Sequence, residues 1–124
     1  MYSFENQATG EVVARKVLAP KGWCGRNLGL LTRSSIDADE GLWINRCFGI
    51  HTIGMRFPID VVFLDDAFRI VSIRRDVRPG CLAVAQANAT HVVELRAGTC
   101  EEFDMLCGDR MRFVQSASGD GGQP

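Results

Sequence analysis

Residues 59–75 read IDVVFLDDAFRIVSIRR. Ile59 to Leu64 is apolar at nearly every position, the pattern of a strand covered on both faces. Asp65, Asp66 and Ala67 supply turn residues. Phe68 to Arg75 then alternates, with Arg69, Ser72 and Arg74 set among Phe68, Ile70, Val71 and Ile73. Two β-prone runs divided by a short polar break predict a β-hairpin. Matching apolar side chains gives its expected register: Leu64 opposite Phe68, Val62 opposite Ile70 and Val61 opposite Val71. Asp60 then faces Ser72, with Arg74 a diagonal neighbour on the same face.

Around this hairpin the chain reads as further short strands. Val12 to Leu18 interleaves β-branched residues with Arg15 and Lys16 and ends before Pro20. Trp23 to Arg33 has helical character, interrupted by Gly25 and Gly29. Residues 34–41 are a loop by composition, and Leu42 to Ile44 is a short strand. Pro79 and Gly80 make a turn, Leu82 to Ala89 is Ala-rich and ambiguous, and His91 to Leu95 is a strand. Thr99 followed by Glu102 forms a capping-box pattern, with Gly108 placed to end that helix. Met111 to Gln115 is the last strand. At the start, Tyr2 and Phe4 alternate with polar neighbours, so residues 1–10 are expected to be partly ordered. The expected fold is mainly β, a small barrel- or sandwich-like domain with one or two short helices. It occupies residues 1–115 as one domain, followed by a disordered Gly- and Ser-rich tail at 116–124.

The 124 residues suffice for one hydrophobic core, and 46% hydrophobic with 23% charged residues is ordinary globular usage. A formal net charge of -1 provides no field to draw in nucleic acid or an anionic membrane. Arg69, Arg74, Arg75 and Arg78 cluster locally but are diluted by Asp65, Asp66 and Asp76. No apolar run is long enough to span a bilayer, and the polar N-terminus shows no signal peptide, which favours the cytoplasm. Five cysteines at irregular spacing read as free thiols, not as a disulfide framework. Phosphate loops, dinucleotide fingerprints and HExxH are absent, and no cofactor is expected.

Chemistry concentrates in residues 47–60, CFGIHTIGMRFPID. His51 is one of two histidines, Gly49 and Gly54 permit close approach, and Pro58 keeps Phe57 extended. Cys47 and His51 have the spacing of two metal ligands on a helix, but the surrounding glycines and β-branched residues oppose a helix, and further ligands lack a signature. Cys47 as nucleophile with His51 as base and Asp60 as orienting acid is a second arrangement. A third is a binding pocket without catalysis. An acid opening a buried strand needs Arg56, Arg74 or a backbone N–H as partner, and such a pair beside His51, Thr52 and Met55 makes a polar spot in an apolar cleft. Glu94, within VVEL, is either a solvent-facing strand residue or a site acid.

The stretches GLLTR at 29–33, EGLWI at 40–44, CFGIHTIGMRFPIDVVFLD at 47–65, VVELRAGT at 92–99 and GDR at 108–110 resemble the bacterial and archaeal family known as domain of unknown function 192. The resemblance implies a compact, mainly β fold with short helices and no established activity. It places the family's signature residues at His51, Thr52, Met55, Pro58, Asp60, Glu94 and Gly98. Many relatives look exported, which opens envelope association as an alternative location. The leading expectation is a non-enzymatic module binding a small molecule or protein in a cleft around His51 and Asp60, with Thr52, Met55, Arg56, Arg74 and Glu94 contributing. The alternative is a small hydrolase or transferase using Cys47 or a His51–Asp60 pair.

Overall fold

The computed structural model describes residues 1–20, 30 and 33–116. Among these it forms β1 (Tyr2–Asn6), β2 (Val12–Leu18), β3 (Glu40–Asn45), β4 (Gly49–Ile50), β5 (Ile59–Leu64), β6 (Ile70–Val77), β7 (Val84–Ala85), β8 (His91–Arg96), the one-turn helix α1 (Thr99–Glu102) and β9 (Met111–Gln115). Seven strands make one sheet in the order β6-β5-β8-β3-β2-β1-β9, and β4 pairs with β7 as a separate ribbon. In the large sheet only β2 and β3 run parallel. The sheet curls into a half-barrel until its two edges touch. Arg69 bridges Arg110, the Ile70 N–H donates to the Asp109 carbonyl, and the Met111 N–H donates to the Phe68 carbonyl.

The curl divides the apolar side chains into two layers. Phe4, Val17, Val62, Ile70, Val93 and Met111, from six strands including both edges, meet in one cluster on the concave face. Ile44, Ile59, Val61, Phe63 and Val92 lie on the convex face, beneath Leu30, Ile36, Cys47, Ile50, Met55 and Ala89. β5 is therefore buried on both sides along its whole length, as its unbroken apolar run requires. Gly41 belongs to the concave face: a Cβ there would lie 2.9 Å from Leu95 Cδ2 and 3.3 Å from Val17 Cγ2. At one end of the curl, Trp43 and Phe113 stack with ring centres 3.7 Å apart, and the Trp43 indole N–H donates to His91 Nδ1 at 3.1 Å.

Several expectations are corrected. The β5–β6 hairpin pairs Leu64 with Ile70, Phe63 with Ser72, Val62 with Ile73 and Val61 with Arg74. The expected register, with Asp60 opposite Ser72, is displaced because the turn reaches to Arg69 and the ladder is irregular in two places. The capping box does not form. Gly98, at φ 96, occupies the cap, and no side chain makes a capping bond. Gly108 does not end this helix either, since α1 stops at Glu102. Residues 2–6 are a full strand, wedged between β2 and β9. The expected helix at 23–33 falls mostly, and the tail at 116–124 almost wholly, outside the described residues. Among the described residues, no helix is long and apolar enough to cross a membrane.

Candidate functional site

Strand pairing sets one row of side chains across the convex face: Arg74 on β6, Val61 on β5, Glu94 on β8, Leu42 on β3 and Leu18 on β2. Directly paired residues share a face, so Glu94 points into the apolar layer between Val61 and Leu42. It is fully buried, and neither carboxyl oxygen has a hydrogen-bond partner among the described residues. Burial alone pushes its pKa up to about 8. At neutral pH the side chain is chiefly a neutral acid, with one O–H donor and one carbonyl acceptor unused. Arg74 does not reach it. Its guanidinium lies over the Phe63 ring and donates to the Ala85 carbonyl at 2.8 Å and Gln86 Oε1 at 3.1 Å.

One strand further along, Leu42 forms part of the wall of a cavity of about 310 Å³. Leu18, Pro20, Leu30 and Ile36 complete its apolar walls, while Lys16, Arg33 and Glu40 bring charge to it. Arg33 grips Glu40 through two bonds of 2.7 and 3.1 Å, and this guanidinium holds the Glu40 carboxyl below its ordinary range. Neighbouring strands lie about 4.8 Å apart. Leu42 is thus the side chain in the row that stands between Glu94 and the cavity.

The residues of segment 47–60 separate into different places. Cys47 is buried, and its thiol donates to the Gly49 carbonyl at 3.0 Å. His51 is half-buried beside an apolar groove walled by Phe48, Ile50 and Leu82, where Phe48 and Leu82 are 57% and 81% exposed. Thr52 is a latch. Its hydroxyl donates to the Arg78 carbonyl at 2.7 Å and accepts the Cys81 N–H at 2.9 Å. Met55 lies in the convex layer, and Arg56 is exposed. Asp60 alternates with Ile59 and Val61, so it points to the concave face, away from the layer holding Cys47 and Met55. The backbone N–H groups of Asp76 and Cys100 donate to it at 2.9 Å, and that of Gly98 at 3.1 Å. Of the expected partners it therefore takes backbone amides instead of Arg56 or Arg74. The carboxylate clamps the start of α1 and does not adjoin the imidazole's groove.

Among the described residues, no three His, Cys, Asp or Glu side chains gather as a metal ion would require. Of the two readings the sequence allows Glu94, a solvent-facing strand residue or a site acid, the first fails, because β8 is central and both of its faces are covered. The available signal was the neighbouring apolar residues at 92, 93 and 95, which mark a strand with no wet side.

No curated protein matches the chain. Two crystal structures share its fold at a TM-score of 0.70. One is of a proposed transcription regulator from Sinorhizobium meliloti 1021, 18% identical, with 90% of this chain and 91% of that chain aligned. The other is of a protein of unknown function from Novosphingobium aromaticivorans DSM 12444, 16% identical, with 90% and 82% aligned. The model of the family described as "Uncharacterized ACR" matches residues 5–113. The chain belongs to that family, domain of unknown function 192.

Proposed function

We propose that this domain is a non-enzymatic binding module that holds a small molecule against the convex face of its sheet. The observation that carries the reading is a cavity of about 310 Å³ on that face, with apolar walls from Leu18, Pro20, Leu30, Ile36 and Leu42, to which Lys16 and the Arg33–Glu40 pair bring charge. Apolar walls with a few fixed polar groups are the usual make-up of a small-molecule site. Met55 contributes to the same layer, Thr52 fastens the loop that covers it, and Arg74 borders it. Asp60 takes its bonds from the backbone N–H groups of Asp76, Gly98 and Cys100, which favours the binding reading over a His51–Asp60 catalytic pair.

A fragment library screened by thermal shift tests the proposal on wild type and on Leu18→Trp, which fills the cavity from its exposed side. A ligand stabilises the folded state by mass action. At least one compound is expected to raise the wild-type Tm and to lose its effect in Leu18→Trp. If no compound separates the two proteins, the proposal fails.

A further inference from the structure

We infer that the molecule held in this cavity is a free monocarboxylate on an apolar body, with its carboxylate at the mouth against the Lys16 ammonium and its hydrocarbon along Leu18 and Leu42. The inference rests on the binding reading above and names the class of its ligand.

The parallel pair β2–β3 floors the cavity, and its register sets the polarity of that floor. Lys16 is paired with Glu40, and Leu18 with Leu42. Side chains two positions apart on a strand share a face, and all four of these line the cavity. A charged row is thus followed by an apolar row, about 7 Å further along the strands. The charged groups lining the cavity are Lys16, Arg33 and Glu40. Glu40 is filled. One carboxyl oxygen accepts from Arg33 and from the Asp37 N–H, and the other accepts from Arg33 again. Arg33 is committed to that pair, and Asp37 adds a further negative field to it. The Lys16 charge helps to hold the Glu40 carboxyl down, but its ammonium makes no hydrogen bond or ion pair among the described residues. One positive charge therefore stands at the mouth, exposed and without a bonded anion among the described residues.

This arrangement discriminates between head groups. A cationic head would meet Lys16 without access to Glu40, whose oxygens are taken. A neutral head would leave the ammonium unanswered. A carboxylate pairs with it while both groups keep water on their outer side, which avoids the desolvation that makes buried ion pairs costly. Beyond the head, Leu18 is 53% exposed, and a hydrocarbon lying along it would remove that apolar surface from water. At about 310 Å³ the cavity lies at the small end of ligand pockets, which fits a single ring or a chain of modest length.

Three probes with one chain and different heads decide the matter: octanoate, octylamine and octanol. Their dissociation constants are measured at neutral pH by ligand-observed NMR on the full chain, as wild type, Lys16→Gln, Lys16→Arg and Leu18→Trp. Octanoate is expected to bind wild type more tightly than octylamine. Lys16→Gln is expected to weaken octanoate roughly three- to fivefold, the modest effect of an exposed pair, and to leave octanol unchanged. Lys16→Arg, which keeps the charge, is expected to retain octanoate, and Leu18→Trp to lose it. Octylamine binding as tightly as octanoate overturns the inference. So does octanoate binding that is unchanged in Lys16→Gln, or that falls there no more than octanol binding does. In each of these cases the binding reading stands if Leu18→Trp abolishes the binding seen. Octanoate that fails to bind wild type, or that binds Leu18→Trp equally well, also overturns the inference. If the fragment library yields nothing either, both fall.

Discussion

At the scale of single residues, Glu94 makes stability depend on pH. Unfolded, it titrates near 4.5, and folded, at about 8. Between these values the native state keeps a proton that the unfolded chain has released. Stability therefore falls as pH rises, by about 1.4 kcal/mol per unit, and levels off above the folded value. Glu94→Gln is expected to gain about 3 kcal/mol on wild type between pH 4.5 and 7, read from paired urea titrations. A constant difference across that range would show that the acid has a partner. The thiols provide a second test. Cys107 is exposed, whereas Cys47 and Cys100 are buried, and burial with the Asp60 carboxylate nearby pushes Cys100 up to about 12. A thiol reagent is expected to label Cys107 at once, and Cys47 and Cys100 only as the protein unfolds. Rapid labelling of Cys47 in the folded protein would return covalent catalysis to consideration.

At the scale of elements, two side chains do work usually done by local motifs. α1 has one turn and no side-chain cap, so Asp60 accepts its leading amides from the start of β5. Asp60→Ala removes the acceptor of three N–H groups, that of Cys100 buried and those of Asp76 and Gly98 part-buried, and is expected to cost about 2–3 kcal/mol in chemical denaturation. A loss below about 1 kcal/mol would mean that water replaces the carboxylate. Thr52→Val removes a hydroxyl that joins residues 52, 78 and 81. It is expected to cost about 1–3 kcal/mol and to speed hydrogen exchange at the Cys81 amide, while Thr52→Ser restores both. These roles also mark how much could be read in advance. IDVVFL declared a doubly covered strand, and VVARKVL a strand with the observed limits, because apolar pattern reports burial directly. The hairpin register could not be read, because it depends on backbone irregularities and on Asp76 at φ 51. Asp60 was seen to need partners, but two of its three amides come from residues about forty positions later, where no side chain signals them.

At the scale of the whole molecule, a mainly β, barrel- or sandwich-like architecture was legible from the number of short strands, while the way its edges meet was not. That meeting runs through residues 69 and 110, which are paired by topology and not by pattern. β9 finds its place in the sheet against β1, with Tyr2 opposite Gln115 and Phe4 opposite Phe113. Phe4 is fully buried in the concave layer. Deleting residues 1–6 is expected to remove the cooperative urea transition altogether, with loss of near-ultraviolet circular dichroism. A truncated chain that still unfolds in one sharp step would show that the remaining strands suffice. The β1–β9 pairing also imposes an order in time. A strand near the start of the chain has one of its neighbours only after the ribosome has made residue 115. The β5–β6 hairpin can associate early, because its loop is short, but the ring of strands must wait for its most distant members. Until then the Phe4 side of β1 lacks its final cover, so a newborn chain passes through a stage in which that edge is open to other chains.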